Sequence, residues 1–186
     1  VQKSLMVVDM PYKTYDTSVS ALKNSKKIMK ETKCDAVKLE GGKKIIKQIR
    51  ALTKNNIPVM GHLGLLPQSA KGKFKSKGKT TKEINQLIND ALLLQKNGVF
   101  AIVLECIKTP IAKQITKSLK IPTIGIGSSV YCDGQVLVTD DLIGLNQTNI
   151  KFVKKFLNVK KYINSGLRKF AYEVRTSKYP TKKHSY

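Results

Sequence analysis

The chain is short of the features that mark several protein classes. It has only three cysteines, Cys34, Cys106 and Cys132, with no close pair among them. An odd, scattered set argues against a disulfide framework, and no CxxC or HxxxH spacing suggests zinc; a reducing cytoplasm fits best. No apolar run approaches the length of a membrane span, and no charged-then-apolar leader opens the chain. Aromatics make up 6% of residues, and arginine occurs only at Arg50, Arg168 and Arg175. Acidic residues are few, so the net charge reaches +23. That excess invites a nucleic-acid reading, but it consists almost wholly of lysines spread along the chain. Single-strand binding needs aromatic stacking platforms, and phosphate or guanine recognition favours the arginine fork. The charge is therefore read as a solvated surface, with no specific nucleic acid and no membrane as partner.

What is present is a strand–helix alternation. Short apolar runs at Leu5–Val8, Ala36–Leu39, Ile57–Met60, Phe100–Leu104, Ile121–Ile126 and Gln135–Thr139 have the length and β-branched content of buried parallel strands. Between them lie amphipathic helical patterns. Val19, Leu22, Ile28 and Met29 mark one; Ile45, Ile49 and Leu52 mark the next. Ile84, Leu87, Ile88, Ala91 and Leu92 form the clearest stripe, with Thr80 and Glu83 at capping-box spacing and Gly98 as a stop. Thr109-Pro110 reads as an N-cap and first helical position. Residues from Asn149 to about Lys178 read as a lysine-rich helical tail. The alternation predicts a parallel α/β sheet, either open or closed into a barrel.

The polar residues choose between these. Asp9, Glu40 and Glu105 each end an apolar strand, Lys38 lies just inside Glu40, and His62 follows Met60-Gly61. Taken singly, each could be no more than the first polar residue of a loop. In a closed barrel the strand C-termini converge on one face, where active sites are built; in an open sheet they are strung along an edge. Together these residues favour a barrel with a shared pocket.

Several segments then resemble those of the ketopantoate hydroxymethyltransferase family. They are Val8-Asp9-Met10-Pro11-Tyr12, Val37-Lys38-Leu39-Glu40-Gly41-Gly42, and the most specific, Gly61-His62-Leu63-Gly64-Leu65-Leu66-Pro67-Gln68-Ser69. Val103-Leu104-Glu105-Cys106, Ile121-Pro122-Thr123-Ile124-Gly125-Ile126-Gly127 and Asp133-Gly134-Gln135-Val136-Leu137-Val138 follow in order, and Tyr179-Pro180 with His184-Ser185 resembles the family's closing segment. Ser128-Ser129 departs from the usual small pair, and Lys71–Lys79 is unusually rich in lysine.

The resemblance implies a (β/α)8 TIM barrel of the phosphoenolpyruvate/pyruvate-binding type, with about six of its eight strands in this chain. The chain then reads as a single partial barrel domain over 1–186, lacking two upstream βα units and an Asp-Ser pair, with 149–186 as the tail. Such a piece is expected to be inactive and poorly folded alone. The implied reaction moves a hydroxymethyl group from 5,10-methylenetetrahydrofolate to 3-methyl-2-oxobutanoate, giving 2-dehydropantoate and tetrahydrofolate through a Mg²⁺-stabilised enolate. Asp9 is then a metal ligand that also contacts substrate, and Glu40 a second metal-site carboxylate. Lys38 pairs the substrate carboxylate, and Glu105 is the proton acceptor; a carboxylate closing a wholly apolar strand suits that task. His62 reads equally as a pocket-lining donor to substrate or as a satisfied core residue. Gly41-Gly42 allows close backbone approach, Gly125 and Gly127 clear space for substrate or folate, and Cys106 is a small hydrophobe. A homo-oligomer, a decamer by resemblance, is expected. The alternative enzyme is a Mg²⁺-dependent C–C lyase or mutase of the isocitrate lyase or phosphoenolpyruvate mutase kind. The non-enzyme alternative is a basic nucleic-acid-binding module.

Overall fold

A computed structural model describes residues 4–70, 75–146 and 149–186, in two compact units that divide after Val136. The stretch 71–74 of the lysine-rich segment Lys71–Lys79 lies outside the described residues. The first unit is built of strand–helix repeats. β1 (Val7–Asp9) leads to α1 (Ser18–Thr32), β2 (Ala36–Glu40) to a 3-10 turn (Lys43–Ile45) and α2 (Ile46–Thr53), and β3 (Val59–Gly64) to α3 (Thr81–Lys96). β4 (Ala101–Glu105), α4 (Thr109–Ser118), β5 (Thr123–Ile126) and β6 (Gly134–Gln135) complete it.

The six strands are all parallel and lie in the order β1-β2-β3-β4-β5-β6. This order separates a barrel from a doubly wound sheet. A doubly wound sheet reverses its strand order at a switch point so that helices cover both faces. An order that only advances puts every crossover on one face and leaves the other as a lumen. Burial follows that division with the two-residue period of a strand. Val37, Leu39, Val59, Ile102 and Leu104 are buried against Ile49, Leu52, Leu94 and Ile115 of the helices. Their sequence neighbours Lys38, Glu40 and Met60 are less buried on the opposite face, as are Ile124 and Ile126 of β5, whereas β4 is buried throughout. The fold is a curled half-barrel of the TIM type, as the strand count of the sequence implies.

Local chemistry sets the helix limits. Thr17 accepts from the Ser20 amide while the Ser20 hydroxyl accepts from the Thr17 amide, a reciprocal capping box worth about 1 kcal/mol. At α3 the Thr80 hydroxyl accepts from the Glu83 amide, but the Glu83 carboxylate reaches past Thr80 to the amides of Gly78 and Lys79, both at 2.8 Å. The expected box is thus half made, and its glutamate fastens the incoming loop instead. Gly98 stops the chain after α3 at φ +84°. α4 starts one residue early, on Thr109 with Lys108 as cap, and the Thr109 hydroxyl donates to the Ser128 carbonyl.

Strand ends differ from expectation in one systematic way. β2 and β4 run one residue further, so that Glu40 and Glu105 are last strand residues, and β3 carries through His62 to Gly64. The sixth strand is shorter than Gln135–Thr139: it has a partner on one side only, and Thr139 already begins a helical turn.

The second unit contains α5 (Thr139–Leu142) and α6 (Val159–Arg175). The tail helix starts at Val159 rather than Asn149, where the Asn158 side chain caps it by accepting from the Lys161 amide. α6 buries no residue, and Ile163, Leu167, Phe170 and Val174 form an exposed stripe on it. Among the described residues no helix is long and apolar enough to cross a membrane.

Candidate active site

The sheet register brings the polar strand-end residues together. Asp9 pairs with Lys38, Glu40 with His62, and Gly64 with Glu105. Residues two apart on one strand share a face, so all these side chains belong to the lumen side, at the C-terminal end of the strands.

They form a continuous chain of contacts. Lys38 Nζ lies 2.6 Å from Asp9 Oδ1 and 3.3 Å from His62 Nδ1. His62 Nδ1 is 3.8 Å from Glu40 Oε1, and His62 Nε2 is 3.1 Å from Glu105 Oε2, although not in line for a hydrogen bond. Solvent access grades along this chain. The side chains of His62, Glu40 and Glu105 are 3%, 7% and 12% exposed, whereas that of Asp9 is 55% exposed. A lysine ammonium only donates, so a hydrogen bond from Lys38 to Nδ1 requires a neutral ring with its proton on Nε2, the nitrogen that faces Glu105. His62 is therefore buried and lies within the cluster.

The charged groups hold one another in unequal states. Burial pushes the Glu40 carboxyl above its ordinary range, opposed by the nearby His62, the Gln68 amide and Lys38. Burial likewise raises the Tyr15 phenol. The Cys106 thiol is raised by burial and then by the Glu105 charge, so it stays protonated and is no nucleophile.

Backbone geometry explains the glycines. Gly41 adopts φ +131°, a conformation that side chains avoid. A Cβ on Gly42 would fall 2.1 Å from an Asp90 carboxylate oxygen, so the close approach expected of this pair is made by Asp90, whose other oxygen accepts from the Lys43 amide. Gly125 corrects an expectation. The space in front of it is filled by Gln135 Oε1 at 2.8 Å and Cys132 Sγ at 3.1 Å from a would-be Cβ, so it clears room for the protein's own side chains rather than for ligand. Two participants were not assigned from sequence. Gln68 sits within the GHLGLLPQS segment without an assigned role, and Tyr15 follows the first motif by three residues. Both touch the strand-end loops; a place in a quoted motif could have pointed to Gln68, and no motif covers Tyr15.

A TIM-type half-barrel that gathers carboxylates, a lysine and a histidine at its strand C-termini is an enzyme of the barrel class, with its active site where that class builds it. The comparisons with known proteins narrow this. The sequence pattern of ketopantoate hydroxymethyltransferase matches residues 1–182. A 3-methyl-2-oxobutanoate hydroxymethyltransferase of Pelagibacter ubique (strain HTCC1062) is 61% identical over the whole chain, which spans 72% of that protein. One of Clostridioides difficile (strain 630) is 45% identical, again over the whole chain and 69% of its own length. The chain belongs to the ketopantoate hydroxymethyltransferase family and is a transferase, which decides against the lyase or mutase reading. Among solved structures, an isomerase from Streptomyces coelicolor A3(2) aligns with TM-score 0.46 and 14% identity over 65% of this chain and 32% of that one. A dihydrodipicolinate synthase from Agrobacterium tumefaciens aligns with TM-score 0.43 and 12% identity over 76% and 50%.

Proposed function

We propose that the chain transfers a hydroxymethyl group from 5,10-methylenetetrahydrofolate to 3-methyl-2-oxobutanoate, yielding 2-dehydropantoate and tetrahydrofolate on the route to pantothenate and coenzyme A. The observation that carries this reading is the contact chain Asp9–Lys38–His62–Glu105, with Glu40 beside it, at the strand ends. Its chemistry suits removal of a proton next to a ketone. Glu105 takes the proton from C3 of the keto acid. His62 Nε2 lies 3.1 Å from that carboxylate and lines the pocket behind it. The resulting carbon nucleophile bonds to the methylene carbon as its bond to one of the two folate nitrogens breaks; water then replaces the second nitrogen and supplies the product hydroxyl, and the C3 proton and a water proton end on the two nitrogens of tetrahydrofolate. Lys38, already cationic beside Asp9, offers its ammonium to the substrate carboxylate.

The family resemblance adds Mg²⁺. Among the described residues no group of three or more His, Cys, Asp or Glu is placed to hold a metal by itself. Magnesium is commonly held by one or two carboxylates completed by water and substrate. Asp9 and Glu40 fit that pattern: two hard carboxylates on adjacent strand ends, the first of them half-exposed. When bound there, the cation would supply Lewis-acid stabilisation of the enolate.

The reading extends to a cytoplasmic homo-oligomer, a decamer by resemblance. Three free cysteines support the compartment. The exposed stripe Ile163, Leu167, Phe170 and Val174 supports association, which sedimentation velocity would measure.

The deciding test is deuterium exchange at C3 of 3-methyl-2-oxobutanoate, followed by NMR in this chain and, at the matching position, in the Pelagibacter ubique relative. Glu105→Gln preserves shape but removes the base, so exchange should fall by at least about 100-fold while keto-acid binding persists. Exchange at the unaltered rate would assign the base elsewhere.

A further inference from the structure

The loop that leaves β3 crosses the ends of three other strands, and one side chain fixes it there. Leu65 N–H donates to the Glu105 carbonyl at 2.9 Å, which hangs the start of the loop from β4. Three residues on, Gln68 makes three separate bonds. Its backbone N–H donates to Glu40 Oε2 at 3.2 Å, its side-chain Nε2 donates to the Met10 carbonyl at 3.0 Å, and its Oε1 accepts from the Tyr15 hydroxyl at 3.3 Å. Met10 is itself held from its other side, its amide donating to the Lys38 carbonyl at 2.9 Å. Gln68 thus joins the exit of β1, the carboxylate that ends β2 and the loop from β3 within one residue.

We propose that Gln68 is a positioning residue: it staples the 65–69 loop across the strand ends and thereby fixes which oxygen of Glu40 faces the lumen cluster. The Gln68 amide takes Oε2, leaving Oε1 as the oxygen that faces His62 Nδ1. A carboxamide is required for this. It donates to a carbonyl and accepts from a phenol at once. Glutamate would lose the bond to Met10 and place a second carboxylate beside Glu40; leucine would lose both side-chain bonds. The Tyr15 ring is buried, so its hydroxyl has little freedom to find water instead.

The inference deepens the functional reading above and rests on it only for the ligand. The ligand-free measurement is NMR on the chain itself: hydrogen exchange of the residue-68 backbone amide, and the side-chain carboxyl ¹³C resonance of Glu40. In Gln68→Leu the amide should exchange at least about tenfold faster and the Glu40 resonance should move, because the N–H that held Oε2 is no longer held in place. Tyr15→Phe, which keeps the ring and its packing, should show the same two changes at smaller size, and it decides the matter if Gln68→Leu does not fold. The second measurement is affinity for 3-methyl-2-oxobutanoate in a double-mutant cycle with Glu40→Gln. If Gln68 acts through Glu40, the two losses are less than additive, and Gln68→Leu alone weakens binding about tenfold. Unaltered exchange and an unmoved Glu40 resonance in both variants overturn the staple whatever the ligand. A purely additive cycle overturns the action through Glu40. Failure of the unmodified protein to bind the keto acid counts against the functional reading instead, and the ligand-free measurements still decide the staple.

Discussion

Gly64→Ala tests whether the backbone of one strand places Glu105, the proposed base, on the next. Gly64 ends β3 at φ +100° and pairs in register with Glu105. A Cβ there would lie 2.1 Å from the Glu105 carbonyl oxygen and 2.8 Å from Ile107 Cγ1, where real contacts stay beyond 3.0 Å. The obstacle is backbone, not the end of a flexible side chain, so the Glu105 peptide has to retreat by about 1 Å, and a misplacement of that size costs on the order of 100-fold in turnover. Holding alanine in a glycine-only conformation costs about 1–3 kcal/mol. Losing the Leu65-to-Glu105 hydrogen bond adds about 1 kcal/mol. Together these lower the melting temperature by about 5–15 °C for a chain of this size. Gly61→Ala, on the same strand, is the control. Its Cβ would meet Leu94 Cδ1 at 3.0 Å and Val99 Cγ1 at 3.4 Å, ends of side chains on the helix side. It should cost about 1 kcal/mol and leave turnover alone. Circular-dichroism melts and the C3 deuterium exchange assay, run on this chain and the Pelagibacter ubique relative, separate the two. Gly64→Ala within about 2 °C of the unmodified protein, with full exchange, would refute the claim that this contact places Glu105.

Glu40 governs a pH dependence of stability. Its carboxyl is raised by burial, so the folded state binds this proton more tightly than the unfolded chain. The stability it contributes is present at acid pH and is lost as pH rises from the ordinary glutamate value through the raised folded value. Glu40→Gln should therefore gain stability relative to the unmodified protein as pH rises above the ordinary glutamate value of about 4, read as a growing difference in melting temperature; a shrinking difference contradicts it. Lys38→Ala should weaken keto-acid binding equally with and without Mg²⁺, and should barely move the melting temperature, since the Asp9 side chain is 55% exposed and regains water. Asp9→Ala should instead remove the Mg²⁺ dependence of binding. Calorimetric titrations showing equal, metal-independent losses in both variants would contradict these separate roles.

Much of this arrangement is legible in the sequence because the barrel is a repetitive object. Three apolar runs end at a carboxylate and a fourth leads through Gly61 to His62, and parallel strands with short register offsets must bring those ends to one rim. That is why Asp9, Lys38, Glu40, His62 and Glu105 could be grouped before any distance was known. What escaped depends on how far apart the partners lie along the chain and on the curl of the sheet. Gln68 reaches back to Met10, and Asp90 presses on Gly42 from a different helix. Gln135 fills the space before Gly125, which motif reading had given to a ligand. The Glu83 carboxylate prefers two loop amides to its own cap residue, a choice that spacing alone does not reveal. The sixth strand and the start of α6 are set by neighbours and caps, where hydrophobic runs carry little information.

The two-residue alternation of faces along the strands has an evolutionary consequence. Val37, Leu39, Ile102 and Leu104 serve the seam with the helices, while Lys38, Glu40, Val103 and Glu105, interleaved with them, serve the lumen. Abundance and activity are therefore written in alternate letters of the same short words. A saturation screen scored for cellular abundance should be strict at the first set, and one scored for growth without pantothenate strict at the second. Where a strand residue answers to only one of these demands, such a scaffold can exchange its chemistry while leaving its foundations untouched.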